Sequence, residues 1–313
     1  MNKKLIIILK SLIFCVVIYF FVIFINQDDF IKIIRNVKIK NLILVCFIFF
    51  LIPLITTLRW FLIVRYFSKV SFFSFFKNII SGFSVNLITS STLAIEAVKF
   101  LKIKKEIGNK KSLILIFLDK IITLILKIIF ISIIFYIFIN FVNKEIYVNN
   151  ILLITFSFLM ILILFNLGNI IKKILNYKNN LNYKFSKKIC HVLKENLLNL
   201  IFLNLTVQLI NILVYYLIFI SLSEKISFFE LSLFIPFVEI LSLFQFIIIG
   251  MKEISTVLIL SQLEISKEIA FAGAMIYLFI DYIVIISISV LINLKSYYQF
   301  LKKNFNFIKK FIN

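Results

Sequence analysis

The sequence predicts an all-α fold, a polytopic membrane bundle of about six to eight spanning helices with two broken or re-entrant hairpins. The chain has 313 residues, 62% of them hydrophobic, and a mean hydropathy of +1.10, which is more apolar surface than a soluble domain can bury. Apolar runs of about 20 residues, the length of a spanning helix, recur between charged segments. Two further apolar segments are interrupted by polar residues or glycine, as broken membrane helices are.

The charge distribution excludes several classes of protein. The net charge of +21 comes from 35 Lys and Arg residues against 14 Asp and Glu residues. The excess lies in loops and tails, which is typical of the positive-inside bias and of attraction to anionic lipid headgroups. No folded basic surface remains for a nucleic acid. The cysteines are scattered and His191 is the single histidine, so we predict no metal site, no cofactor and no Ser-His-Asp chemistry.

The first half begins with two predicted spans, at residues 5–25 and 41–64. Between them, residues 30–40 alternate apolar and basic side chains at helical spacing, which favours a helix in the membrane interface. Arg59 and Arg65, near the end of the second span, are interpreted as side chains that snorkel to the interface.

Residues 71–100 form the unusual segment of the first half. This segment is apolar but rich in Ser, Thr and Asn, including Asn86, and it ends in Glu96 and Lys99. Small polar side chains can satisfy backbone groups that a broken helix exposes, so we predict a re-entrant hairpin here. A strongly basic loop is expected over residues 99–111.

The other predicted spans cover residues 112–140, 151–171, 197–221 and 270–294. Two of them contain charged residues, Asp119 and Lys120 in the first and Asp281 about halfway along the last. A charge at membrane depth is retained for a partner or a pathway. A lysine-rich loop is expected at 172–194.

Residues 231–263 are two apolar runs separated by a short polar interruption that contains Gly250, Lys252 and Glu253. Irregular backbone at membrane depth survives where it lines protein or a water-filled cavity. We therefore predict a second re-entrant hairpin, and we expect it to be the working part of the protein.

The topology follows from three strongly basic segments, 99–111, 172–194 and the tail 295–313, which the positive-inside rule places in the cytoplasm. Counting crossings back from a cytoplasmic C-terminus requires each hairpin to enter and leave on one side. The first hairpin then enters from the cytoplasm and the second from outside. The basic residues at 32–40 would lie outside, against the rule.

This topology divides one integral membrane domain, residues 1–313, into halves at about 1–140 and 151–294, followed by the basic tail. The halves would run in opposite senses, which is the pattern of an inverted repeat in transporters. A bundle of about eight spans without hairpins is the alternative.

Two motifs carry a resemblance to a known family. The first runs from Asn86 through Glu96-Ala97-Val98-Lys99 to Asp119-Lys120, and the second is Gly250-Met251-Lys252-Glu253. They resemble Asn…Gly-Gly-Glu-x-x-Arg…Asp-Arg and Gly-Gly-x-Gly-x-Arg-Glu in the transmembrane region of lysylphosphatidylglycerol synthases and their stand-alone, flippase-like relatives. Here the paired glycines are absent and each arginine is a lysine, which lacks the bidentate fork for phosphate.

The resemblance implies a lipid translocase or lipid-handling unit without the synthase's soluble aminoacyl-transfer domain. We therefore predict a flippase-like protein that handles an anionic phospholipid or a lipid-linked headgroup. The predicted substrate-binding residues are Asn86, Glu96, Lys99, Asp119, Lys120, Gly250, Lys252, Glu253 and Asp281.

No catalytic constellation is recognisable, so an enzymatic function is not the first prediction. The alternative is an enzyme or a membrane subunit of lipid or polyprenyl-linked glycan biosynthesis. The expected partners are anionic membrane lipids, with a biosynthetic enzyme as a further candidate, and no nucleic acid. The expected location is a bacterial inner (cytoplasmic) membrane, with the C-terminus in the cytoplasm.

Overall fold

A computed structural model describes residues 25–89, 93–142, 183–241, 251–261 and 265–312. All regular secondary structure in these ranges is helical, which confirms the predicted fold class. The predicted span at 151–171 and all but the last residue of the span at 5–25 lie outside the described residues.

The described helices, numbered in chain order, are α1 (Gln27–Arg35), α2 (Ile39–Phe49), α3 (Leu51–Val64), α4 (Phe72–Thr89), α5 (Leu93–Ile107), α6 (Asn109–Val142), α7 (Tyr183–Ser221), α8 (Phe228–Leu241), α9 (Met251–Leu260) and α10 (Lys267–Ile312). Three described stretches, Ile39–Val64, Phe185–Ser221 and Lys267–Ile292, are long and apolar enough to cross a membrane. They coincide with three of the predicted spans, and a fourth, 112–140, falls within α6.

Helices α4 and α5 pack against each other as the first hairpin. A Cβ added to Gly82 would lie 3.1 Å from the Cα of Ile95, so the missing side chain lets the two backbones approach closely. The outer ends of the pair also meet, because the Lys69 amide donates a 2.9 Å hydrogen bond to the Glu106 carboxylate. The chain therefore enters and leaves this hairpin at one end of the bundle, as the sequence predicted.

Helices α8 and α9 form the second hairpin. The two helices lie on either side of residues 242–250 and pack against each other. A capping box begins α8, because the Ser227 amide donates to the Glu230 carboxylate at 2.9 Å and the Glu230 amide donates to Ser227 Oγ at 3.1 Å. Two helices that pack as a pair agree with the hairpin predicted at 231–263, while the predicted interruption at Gly250 lies outside the described residues.

The two hairpins begin at opposite ends of the bundle. Beside the first hairpin, Arg65 donates a 3.2 Å hydrogen bond to Asn196, in the early turns of α7. At the far end of α7, the Lys38 amide donates to the Ser221 carbonyl at 3.0 Å, immediately before the second hairpin starts. Residues 32–40 therefore share an end with the second hairpin, as the crossing count predicted despite their charge.

The end that carries the first hairpin is called the basic end below. It collects the arginine and lysines of the α3–α4, α5–α6 and early α7 segments, namely Arg65, Lys69, Lys104, Lys105, Lys110, Lys111, Lys187 and Lys188.

The segment between the first two predicted spans forms α1, a short and exposed amphipathic helix. Asn26 caps it by accepting a 3.1 Å hydrogen bond from the Asp28 amide, and Ile31 and Ile34 are exposed on its surface. Phe30 packs on Phe271 with ring centroids 5.4 Å apart, which ties α1 to the start of α10. Its position in a membrane interface stays a prediction.

Two of the expected loops are helical. The predicted basic loop at 99–111 contains only a brief turn at Gly108, whose φ of +83° suits glycine at a helix C-terminus. Residues 183–194 of the other expected loop belong to α7, and α10 continues without a break through 295–312. Lysine is a good helix former, so charge density alone did not indicate where these helices end.

Gly273, in α10, packs against a buried aromatic ring of α7. A Cβ at this position would lie 2.8 Å from Cζ of Phe219, whose ring is buried and would have to shift. We expect Gly273→Ala to destabilise the protein by about 1–3 kcal/mol through overpacking, seen as a lower midpoint of thermal unfolding in detergent. The double variant Gly273→Ala/Phe219→Leu should recover part of the loss, and an unchanged midpoint for Gly273→Ala would contradict this packing.

Candidate functional site

A buried ionic cluster links α3, α5 and α6. Lys99 Nζ lies 3.1 Å from Asp119 Oδ2 and 3.3 Å from Glu96 Oε1. On one side Arg59 Nε lies 3.2 Å from Asp119 Oδ1, and on the other Lys120 Nζ lies 2.8 Å from Glu96 Oε1. These five residues are called the ionic cluster below.

The turn at Gly108 explains why these residues meet. Lys99 precedes Gly108 by nine residues and Asp119 follows it by eleven, so the two side chains lie at similar depth on antiparallel helices, roughly 15 Å from the turn. Glu96 and Lys99, three residues apart on α5, face the same way. Local helix geometry thus brings together the four charged residues of the first motif.

The cluster is shielded from lipid and solvent on most sides. The side chains of Lys99 and Asp119 are 2% and 1% exposed. The Trp60 ring, with its centroid 5.1 Å from Lys99 Nζ, covers the lysine in a cation–π contact. Asn204 of α7 accepts a 2.7 Å hydrogen bond from Arg59, which fixes the guanidinium from the opposite side.

Charge and exposure are distributed unevenly in the ionic cluster. Its three cations face two carboxylates, which leaves one positive charge in excess. Lys120 is the accessible member, with 43% of its side chain exposed. Glu96 uses the same oxygen for both lysines, and its other oxygen is buried without a hydrogen-bond partner among the described residues. Of the two carboxylates, Glu96 is therefore the one bound by lysines alone, whereas Asp119 also binds Arg59.

A second group of buried polar residues, called the acidic layer below, is built by α6, α8, α9 and α10. Its members are Lys127, Glu239, Glu253 and Asp281, and Lys127 Nζ lies 2.7 Å from Glu239 Oε2. All three carboxylates lie near enough to the buried hydroxyl of Tyr215 to act on it electrostatically.

Two tyrosines line the acidic layer. The rings of Tyr215 and Tyr277 stack with centroids 4.6 Å apart. The hydroxyl of Tyr215 is hydrogen-bonded to Thr256, and the hydroxyl of Tyr277 donates to Asn211 Oδ1 at 3.4 Å. The layer therefore combines carboxylates with hydroxyl and amide groups in an otherwise apolar interior.

One face of α7 connects the two polar regions. Asn204, Gln208, Asn211 and Tyr215 follow one another at spacings of four, three and four residues, which keeps them on the same side of a helix. Asn204 contacts Arg59 of the ionic cluster, and Tyr215 lies in the acidic layer. The stripe spans roughly 16 Å along the helix axis.

The structure thus divides the predicted site residues between two places. Glu96, Lys99, Asp119 and Lys120 lie together in the ionic cluster, while Glu253 and Asp281 belong to the acidic layer. Asn86 is half-buried on α4, and its side-chain oxygen has no hydrogen-bond partner in the described part of the chain. Gly250 and the side chain of Lys252 lie outside the described residues.

Sequence reasoning missed Arg59 as a member of the cluster. Arg59 is 7% exposed and bound to Asp119, so its interpretation as a snorkelling anchor was wrong. A signal for this was available, because Arg59 lies six residues before Arg65, roughly 9 Å deeper in the membrane, and two such arginines cannot share one interface.

Lys127 and Glu239 were also missed as partners, although each is a lone charge in an apolar run. No sequence separation links these two residues, since they lie on helices of different halves. Only their packing shows that they pair.

Large apolar side chains cover the outside of the described bundle, including Phe47, Phe202 and Phe279, each about two-thirds or more exposed. An apolar exterior around buried charges and paired hairpins defines an integral membrane protein. The sequence model of one protein family, the transmembrane region of lysylphosphatidylglycerol synthases, matches residues 7–289, nearly the whole chain. The protein belongs to this family. No curated protein and no solved structure matches the chain.

Proposed function

We propose that this protein moves an anionic phospholipid or a lipid-linked phosphate headgroup between the two leaflets of a bacterial inner membrane. Membership of a family that includes flippase-like proteins supports a lipid substrate. The observation that carries the proposal is Glu96, whose carboxylate bridges Lys99 and Lys120 in a cluster with one excess positive charge. An anion held between two lysines marks a position that a lipid phosphate can occupy.

In the proposed mechanism the phosphate enters at Lys120, the exposed edge of the ionic cluster. A phosphodiester and a carboxylate each carry about one negative charge, so exchanging one for the other at the lysines keeps the local charge constant. Glu96 is suited to leave because one of its oxygens has no donor to lose among the described residues. Asp119 stays in place and keeps Arg59 and Lys99 compensated while the lipid is bound.

The basic end is proposed to face the cytoplasm, because the positive-inside rule favours its lysines there. The lipid would then reach Lys120 from the inner leaflet. Charge-assisted contacts to phosphate add roughly 1.5–3 kcal/mol each, so loss of one lysine should weaken lipid handling measurably.

The test is reconstitution into liposomes that carry fluorescent anionic or zwitterionic lipid, with dithionite quenching as the readout. We expect the protein to speed the exposure of inner-leaflet anionic lipid. Lys120→Gln should slow it roughly ten- to a hundredfold, which is the rate equivalent of the lost contact. Lys110→Gln, at an exposed lysine of the same helix, is the matched control and should move lipid at the normal rate.

Equal effects of Lys120→Gln and Lys110→Gln would show that general surface charge, and not the ionic cluster, sets the rate. No movement of any lipid by a folded sample would overturn the proposal. That result would favour the alternative of a membrane enzyme or subunit, which product formation from a labelled donor or stable co-purification with a partner enzyme would then support.

A further inference from the structure

We propose that the acidic layer is a proton-binding site, and that Glu253 is the carboxyl group that takes up and releases a proton as the lipid moves. This inference rests on the proposed lipid movement and adds its driving ion. It concerns residues separate from those that would hold the phosphate.

The balance of charge in the acidic layer is the first argument. Among the described lysines, Lys127 is the one bound within the layer, and its partner is Glu239 and not Glu253. An uncompensated carboxylate in a low-dielectric interior is costly, and taking up a proton removes that cost. The layer therefore favours binding of a positive charge, and a proton is the smallest.

Glu253 is the member that the geometry singles out. Its side chain is buried, with only 7% of the residue exposed, and its Oε2 atom accepts no hydrogen bond from any described residue. Glu239, by contrast, is bound by Lys127 at 2.7 Å. A buried carboxylate oxygen without a donor is satisfied when the carboxyl group itself is protonated or when water reaches it.

The described groups in the part of the bundle that holds Glu253 come from α6, α7, α8 and α10. They are Tyr215 from α7, Glu239 from α8, Asp281, Tyr277 and Tyr282 from α10, and Lys127 from α6, which is engaged by Glu239. Apart from Lys127 these groups are acidic or neutral, so none of these described neighbours supplies a second cation for Glu253.

A polar line leads from the acidic layer toward the ionic cluster. On the α7 stripe, Gln208 is buried and its Oε1 atom likewise lacks a hydrogen-bond donor among the described side chains. Buried oxygens of this kind are the usual partners of internal water. Gln208, Asn211 and Asn204 thus place polar side chains along α7 between the two regions.

Helix α6 supplies the coupling. It carries Asp119 and Lys120 of the ionic cluster and, roughly two turns further on, Lys127. Lys127 is bound to Glu239 of the second hairpin. A change of charge beside Glu239 therefore changes the strength of this ion pair, and with it the position of α6, the helix that would hold the lipid phosphate. Protonation of Glu253 can thus alter the ionic cluster without touching it.

The direct test is infrared difference spectroscopy of the full-length protein in lipid, recorded across a pH titration without any substrate. A buried protonated carboxyl group gives a C=O stretching band. We expect a titrating band in the wild type, its loss in Glu253→Gln, and no change in Asp28→Asn, an exposed carboxylate of α1. A spectrum in which Glu253→Gln keeps the full band would overturn the proposal.

The second test repeats the lipid assay with a pH gradient across the liposomes. For one proton per lipid, each pH unit shifts the steady-state lipid ratio by up to about tenfold. We expect that shift in the wild type and in Asp28→Asn but not in Glu253→Gln. Lipid movement that ignores the gradient, with no titrating band, would overturn the proton site and leave the proposed function standing. A titrating band without lipid movement would support the site and overturn that function.

Discussion

Replacing Asp119 by Asn is expected to lower the free energy of unfolding by roughly 3–5 kcal/mol, because it removes one partner of a buried ion pair and leaves the other charge uncompensated. Asp119 contacts Arg59 at 3.2 Å and Lys99 at 3.1 Å, and Glu96 alone would then face three cations. The measurement is the midpoint of thermal unfolding in detergent, followed by circular dichroism.

The control removes the orphaned charge as well. The double variant Arg59→Gln/Asp119→Asn deletes one cation and one anion, so it should be more stable than Asp119→Asn alone. An Asp119→Asn protein that unfolds at the wild-type temperature would show that the cluster contributes nothing to the fold. Any change in lipid movement by that variant would then not be caused by unfolding.

Replacing Lys127 by Met is expected to release the second hairpin from α6. The variant leaves Glu239 without its cation in the interior, at a cost of about 3–5 kcal/mol if the carboxylate stays charged. The measurement is the midpoint of thermal unfolding in detergent, which should fall.

The matched variant is Lys127→Met/Glu239→Gln, in which both charges are gone. Replacing a buried ion pair by uncharged residues of similar size is often close to neutral, so the double variant should regain most of the lost stability. If both variants are equally unstable, the shape of the lysine side chain matters more than its charge.

The sequence was sufficient to predict the membrane fold and both hairpins. The signals were the length of the apolar runs, the polar residues inside 71–100, and the glycine and charges that interrupt 231–263. These signals work because lipid cannot hydrogen-bond a backbone, so every break in a membrane helix must be supported by polar side chains nearby.

The division of the site into two regions could not be predicted. Glu96, Lys99, Asp119 and Lys120 lie on neighbouring helices joined at Gly108, so chain connectivity alone brings them together. Glu253, from the second motif, and Asp281, a charge at membrane depth, were expected with them, yet both lie near Glu239 and Tyr215 instead.

Helix boundaries were the weakest prediction. Residues 99–111 and 183–194 were expected to be loops because they are rich in lysine. A helix at a membrane surface can turn its lysines outward, so a dense run of charge is compatible with either structure. Gly108 was the single residue that marked the real break, through a backbone conformation that glycine adopts without strain.

Trp60 gives the ionic cluster a built-in optical signal. It is the single tryptophan of the chain, it is fully buried, and the ammonium group of Lys99 lies over its ring. The fluorescence emission maximum of an indole depends on the electric field of a nearby charge. A movement of Lys99 is therefore expected to shift the emission maximum of Trp60. If lipid enters at the lysines as proposed, its entry can therefore be followed by the fluorescence of the unlabelled protein in real time.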